Sequence, residues 1–485
     1  MLKKRKKLKK GEWEKKKRDP RQASPKPSHT RPPSPHSLTY IKHTQHTTHA
    51  PLHSELPPKC KEELVSMYCQ LCKDDTPMVR RVAALNLATY VSVVERELVE
   101  ERLLQAFLEL ANDDQDSVRL QTVENCVAFA EVLTEEAKVN QVLPVTLAAA
   151  ADRSWRVRWS VANKFEQVCQ AFGPETTAAS ICGSFERLLQ DPEAEVRTAA
   201  ASNATAVSKH LPAEVVVNNI IPCIKQLVID TSEHVRAALA ANINDLAPLL
   251  GKDETINQLL PLLLQLLRDA SSDVRLNIIA KLEAINDVIG VDLLSQSLLP
   301  AIVDLAEDSK WRVRLAIIEH IPSLAQQLGP AFFNDKLSVL CMMWLSDGIH
   351  SIRLAATQNL KRLTDLFGVE WAQEHILPRV AVMHSHSSHL QRMTALYAMQ
   401  VLSESLTEDL LVGEVLPLAL HLAKDPVANI RFTLAKTLET FAPKVEGEGS
   451  VLEIKKTLEE LASDKDKDVR FFAKRGLQLC DQLGH

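Results

Sequence analysis

An arginine recurs every 39 residues along most of this chain: Arg80, Arg119, Arg158, Arg197, Arg236, Arg275, Arg314, Arg353, Arg392, Arg431 and Arg470. The spacing never slips across these eleven copies. It is most visible where Arg153-Ser154-Trp155-Arg156-Val157-Arg158 returns almost unchanged as Ser309-Lys310-Trp311-Arg312-Val313-Arg314. A fixed period of this length, holding two helical segments, predicts an all-α solenoid in which each helix pair buries its apolar face against its neighbours. The 485 residues would otherwise suggest about three ordinary domains. The period replaces them with one continuous stack over 57–485, its repeats at 57–95, 96–134, 135–173, 174–212, 213–251, 252–290, 291–329, 330–368, 369–407, 408–446 and 447–485.

Aligning the copies on the marker Arg gives each repeat a grammar. Six residues earlier stands Asp in ten copies, from Asp74 to Asp464, and His386 in the ninth. Asp at the end of the inter-helix turn is expected to accept bonds from free amides at the start of the second helix. Ladders of such Asp and Arg from one repeat to the next are a further expected source of cohesion. Pro144, Pro222, Pro261, Pro300, Pro378 and Pro417 lie fourteen residues before their markers and predict a kink in the first helix. Gly173, Gly251, Gly290, Gly329 and Gly368 lie fifteen after and predict left-handed helix stops. In the sixth copy Leu259, Leu260, Leu262, Leu263, Leu266 and Leu267 give the first helix its apolar face. Leu276, Ile278, Ile279, Leu282, Ile285 and Val288 do so for the second. These features together define a HEAT-type repeat.

Residues 1–56 read differently. The first 50 hold 15 Lys and Arg against 3 Asp and Glu, so a basic arm precedes an acidic body. The arm is rich in Pro, Ser and His and is expected to be disordered. Lys3–Lys10 and Lys15–Arg18 form a bipartite pattern compatible with nuclear localisation, or a plain solvated tail. Ser24-Pro25 and Ser34-Pro35 are weak candidates for proline-directed phosphorylation, and an alternative start to the gene is a third reading of the arm. No secretory signal and no run of ~18–20 apolar residues appears. Nine unevenly spaced Cys fit reduced thiols, so the chain is expected in the cytoplasm, and also in the nucleus if the basic pattern acts as a localisation signal.

No catalytic constellation emerges, so no enzyme activity, cofactor or metal is expected. Cys69 and Cys72 form a CxxC on a first helix without a partner pair, and buried thiols are the simpler reading. His384, His386 and His389 read as an exposed polar turn rather than a metal site. What remains is surface. Turns between paired helices stack into a ridge, and Trp155 and Trp311 stand on it beside Arg156 and Arg312. Trp and Arg are enriched at binding hot spots, against the plainer reading that each Trp only packs over the ridge.

Several strings go beyond the repeat pattern: Asp74-Asp75-Thr76-Pro77-Met78-Val79-Arg80-Arg81, the two Trp-Arg-Val-Arg turns, Asp273-Val274-Arg275-Leu276-Asn277-Ile278-Ile279, Leu294 to Val303 and Asp425-Pro426-Val427-Ala428-Asn429. From about Glu62 onward the chain resembles the scaffolding A-type subunits of protein phosphatase 2A. That family's fifteen repeats hold a catalytic subunit on C-terminal turns and an interchangeable regulatory B-type subunit on N-terminal ones. The resemblance implies catalytic-subunit binding by Trp311, Arg312, Val427 and Asn429. It implies regulatory-subunit binding by Pro77, Arg80, Arg81, Asp113, Asp114, Trp155 and Arg156. The eleven repeats match the family's last eleven, with the basic arm in place of the first four. Catalytic-subunit binding is therefore expected to survive, and regulatory-subunit binding is in doubt. The competing readings are a nuclear-transport-type HEAT adaptor using the basic arm on cargo or nucleic acid, and a HEAT-like bilin lyase. Few basic residues line the repeats, which counts against nucleic acid, and the 39-residue period counts against the lyase.

Overall fold

The computed structural model describes residues 55–290 and 293–483. The basic arm, with its bipartite pattern and both Ser-Pro pairs, lies outside them. The chain divides into two compact units, Met1–Leu64 and Val65–His485. The described part of the first is the start of helix Pro58–Cys72. Every described element of the second is helical, and none of its helices is long and apolar enough to cross a membrane.

The helices follow the 39-residue register. Second helices stack on second helices of the next repeat: Pro77–Val91 on Asp116–Val132, Trp311–Leu328 on His350–Phe367, and Ala428–Phe441 on Lys467–Gln482. The core runs between the layers. In the sixth copy all six leucines of the first helix are buried, as are Ile278, Ile279, Leu282 and Ile285 of the second, while Leu276 and Val288 are half-buried at its margin. Rings stack between layers as well, Phe107 on Phe129 at 4.6 Å and Phe165 beside Phe185 at 4.7 Å.

The first helices bend for a different reason from the one expected. Pro144 is the second residue of Leu143–Ala150, and the preceding Lys138–Val142 is a widened turn in which the Leu143 N–H reaches five residues back to Lys138 O. The same turn occurs at Val99–Leu103 and Thr177–Ile181, where Gln105 and Gly183 occupy the proline position. Proline therefore fits this bend, since its missing N–H costs nothing there, but does not create it.

The glycine stops fall where expected, yet their geometry differs from a left-handed cap. Gly329 ends Trp311–Leu328 at φ 81°, ψ 166°, an extended positive-φ conformation that is almost glycine-only. Its N–H donates to Ala325 O at 2.9 Å. A Cβ there would meet no atom within 4 Å, so the cost of Gly329→Ala is purely conformational. We expect a loss of about 2 kcal/mol, read from urea unfolding, without change in helix content by circular dichroism.

A second set of contacts is not announced by the repeat grammar. Six residues after the marker, Asn125, Asn203 and Asn242 donate from their side-chain amides to Ala84 O, Ala162 O and Ala201 O of the previous repeat at 3.0 Å each, and Asn359 does the same to Ile318 O. At that position the helix breaks around Lys164 and Lys281, whose ammonium groups pair with Glu124 and Asp245 of the previous repeat, both at 2.5 Å.

The turn ridge as a candidate binding surface

The marker Arg and the turn Asp form a ladder. The guanidinium Nε of Arg80 donates to Asp113 at 2.5 Å, Arg119 to Asp152 at 2.7 Å, Arg158 to Asp191 at 2.6 Å and Arg197 to Asp230 at 2.7 Å. Arg236–Asp269, Arg314–Asp347, Arg392–Asp425 and Arg431–Asp464 continue it at 2.6–3.0 Å, while Arg275 pairs with Asp308 through an Nη2 hydrogen bond at 3.2 Å. Each Arg reaches the Asp 33 residues ahead, and its Nη1 turns back to the carbonyl of the residue six behind, as Arg158 does to Asp152 O at 2.8 Å. The Asp does not cap the second helix directly, which corrects the expectation from the repeat grammar. One oxygen accepts the N–H of the residue two positions on, Ser154 for Asp152 at 2.7 Å and Lys310 for Asp308 at 2.7 Å, which closes the turn that precedes the helix. The bidentate fork and the turn amide together engage both oxygens of the carboxylate, as at Asp152.

This arrangement sets the carboxyl groups' acidity. Burial pushes Asp113, Asp152, Asp230, Asp269 and Asp425 up, but the arginine and backbone hydrogen bonds and the guanidinium charge outweigh it and hold all five below the usual carboxylate range. For Asp464 the Arg431 hydrogen bond dominates and the value falls to about 2. Lowered folded-state values mean that this stabilisation is complete above the unfolded carboxylate range and is lost as pH falls through the lowered values. The melting temperature is therefore expected to hold between about pH 7 and 5 and to drop steeply below about pH 4. A profile flat down to about pH 2.5 would refute a structural role for the rungs.

The ladder sorts the candidate residues. Arg80 and Asp113 are paired with each other, with side chains only 19% and 6% exposed, so both are occupied as parts of the stack. Asp114 is exposed, and its carbonyl accepts from Arg119 and from Arg153, both at 3.1 Å. It lines, with Asp113, Asp152 and Arg153, an open hollow of about 610 Å³ between the second and third turns. Pro77 begins its helix and, like Arg81, is exposed. Val427 is the half-buried residue before helix Ala428–Phe441, and Asn429 is exposed one residue inside it.

Trp155 and Trp311 are the first residues of their helices, half-buried against the core. Over each lies the next residue's guanidinium, Arg156 at 5.1 Å and Arg312 at 4.8 Å from the ring centroid, both arginines exposed. Packing and presentation are thus combined: the ring is braced from below while its cation faces outward. Arg156 also approaches Asp116 at 3.7 Å, and Ser154 Oγ donates to the same carboxylate at 3.0 Å. Arg153 and Asp116 belong to this surface without standing out in the sequence. Arg153 is signalled only by its place two residues before Trp155, and Asp116, one repeat earlier, by nothing in the sequence.

The remaining chemistry is quiet. Burial raises the Cys69 thiol and pushes Cys72 up to about 12, the reverse of an activated thiolate. Among the described residues no group of three His, Cys, Asp or Glu is arranged to hold a metal ion.

Comparison with known proteins places these features. Residues 174–251 match a family model described as PPP2R1A-like HEAT repeat, and residues 260–361 one described as HEAT repeats. The A-type regulatory subunit of protein phosphatase PP2A from Schizosaccharomyces pombe is 45% identical over 72 residues, 15% of this chain and 12% of that protein. Its namesake from Saccharomyces cerevisiae is 39% identical over 123 residues, 24% of this chain and 19% of that protein. The matched segments therefore span less than a fifth of these relatives. Among solved structures, one of Kap95p with RanGDP superposes with a TM-score of 0.62 at 14% identity, over 86% of this chain and 56% of that one. Importin beta superposes with a TM-score of 0.55 at 11% identity, over 86% and 55%. At such identities the likeness is one of fold alone.

Proposed function

The chain is a HEAT-repeat protein similar to the A-type regulatory subunits of PP2A, and from that premise we propose that it is a non-catalytic scaffold for a PP2A catalytic subunit. The catalytic subunit docks on the C-terminal turns, with Trp311 and Arg312 as anchor and Val427 and Asn429 further along the same ridge. The observation that carries this reading is the Trp311–Arg312 pair, an exposed guanidinium held 4.8 Å over a half-buried indole. An anchor already fixed in its rotamer loses little conformational entropy on binding. The mechanism is geometric: a stack braced by nine Arg–Asp rungs holds one partner at a set distance and orientation from whatever occupies other turns. A regulatory subunit on Pro77, Arg81, Asp114, Trp155 and Arg156 is part of the same proposal, with Arg80 and Asp113 shaping that surface from within. Residence in the cytoplasm, and in the nucleus if the basic arm acts as an import signal, completes it.

The test is direct binding of the purified full chain to a PP2A catalytic subunit by calorimetry or surface plasmon resonance. Sub-micromolar affinity supports the scaffold. No measurable affinity refutes it, and salt-sensitive binding of the basic arm to nucleic acid or cargo would then favour the transport-type adaptor.

A further inference from the structure

One rung of the ladder has no carboxylate. Arg353 is buried, 7% exposed, and its Nη1 donates to Asp347 O at 2.7 Å as in every other rung. The residue 33 ahead, where nine other arginines find an aspartate, is His386. Among the described residues no acceptor meets the Nε–Nη2 edge of Arg353. Nor is that edge sealed: the completely buried, unbonded side-chain atoms include Arg275 Nε but neither nitrogen of Arg353.

His386 preserves the turn while reversing its chemistry. Its Nδ1 accepts the Ser388 N–H at 3.0 Å, the bond that Asp Oδ1 accepts elsewhere. An Nδ1 that accepts leaves the neutral ring's proton on Nε2, which is then a donor. The turn is held in place by Arg392, whose Nη1 donates to His386 O at 2.8 Å and Ser387 O at 2.9 Å. It opens the 14-residue helix His389–Leu402, whose N-terminal amides add positive potential. A guanidinium edge without an acceptor and a helix N-terminus thus meet on the turn where the other rungs place an anion. A buried cation without a partner is costly, and the geometry that relieves it is already defined by nine neighbouring rungs.

We propose that the turn between Arg353 and His386 is an oxyanion site, taking a carboxylate or phosphate group bidentate on the Nε–Nη2 edge. The source is either a free ion or an acidic side chain of a protein seated on the ridge. Nine other arginines are kept from serving this way by their own aspartates.

The probe is inorganic phosphate, titrated against chloride at constant pH and ionic strength, on the full chain and on His386→Asp and Arg353→Gln. The wild type is expected to show a saturating rise in Tm with phosphate, and slower hydrogen exchange at 388–392. His386→Asp, which supplies its own carboxylate, is expected to start higher in Tm and to respond little. Arg353→Gln is expected to lose the response. A phosphate response equal in wild type and His386→Asp, or no response in the wild type, overturns the proposal. A second arm separates the sources: His386→Asp weakens catalytic-subunit binding if a partner's carboxylate uses the site, and leaves it unchanged if a free ion does. The first arm needs no phosphatase, so its failure is distinct from failure of the scaffold reading.

Discussion

A Trp311→Ala/Arg312→Asp double variant is expected to bind the PP2A catalytic subunit more weakly than the wild type by at least about 30-fold, the ~2 kcal/mol that marks a hot spot. Removing the indole deletes the platform that orients the guanidinium, 4.8 Å above it. The aspartate then puts a negative charge where the proposed interface presents a positive one, and juxtaposed like charges cost more than a lost contact. Neither residue belongs to a rung: the adjoining Arg314–Asp347 pair is made by other side chains. Unfolding should therefore change far less than binding. The equivalent pair four repeats earlier, Trp155→Ala/Arg156→Asp, serves as control and should leave affinity for the catalytic subunit within about twofold. Equal losses from both pairs would mean that the surface is read diffusely. An unaffected Trp311/Arg312 variant would move the site elsewhere on the ridge.

The second large effect belongs to the ladder. Asp191→Ala is expected to destabilise the chain by about 3 kcal/mol, because it strands Arg158, whose side chain is only 14% exposed, and frees the Glu193 amide that the carboxylate accepts at 2.9 Å. Asp191→Asn keeps an acceptor for that amide and should lose about half as much. Paired replacement of Arg158 and Asp191 by Met and Leu should cost less than Asp191→Ala alone, since no buried charge is left uncompensated. In a stack where each repeat touches only its neighbours, the loss should appear in urea as an earlier, separate transition. A loss below about 0.5 kcal/mol for Asp191→Ala would class the rungs with ordinary surface ion pairs.

Much of this is legible in the chain without coordinates. The 39-residue marker establishes the helical stack because a period longer than one helix, repeated without slippage, can bury its apolar faces only by stacking copies. The five glycines announce helix ends because a positive φ excludes most side chains, and all five adopt one. The tryptophan turns stand out because a large ring beside an arginine is conspicuous in a polar loop.

Other features depend on which residues become neighbours in space. In the sequence, Arg80 and Asp113 look as available to a partner as Asp114; the fold joins them at 2.5 Å and leaves Asp114 outside. The asparagines Asn125, Asn203 and Asn242 are equally regular in sequence, yet Asn is unremarkable on a helix until a carbonyl of the previous repeat is brought within 3.0 Å. The missing aspartate at His386 is visible as a departure, but its consequence, a guanidinium edge without an acceptor, follows only once the 33-residue pairing is known. Sequence by itself determined the period, the helix pairs and the positions of their stops, because these are set by local sterics and by the spacing of apolar side chains along one helix. Only the tertiary structure decided which charges pair internally and which face outward, because a carboxylate's partner is chosen by distance across the stack, and that distance is set by how neighbouring repeats pack.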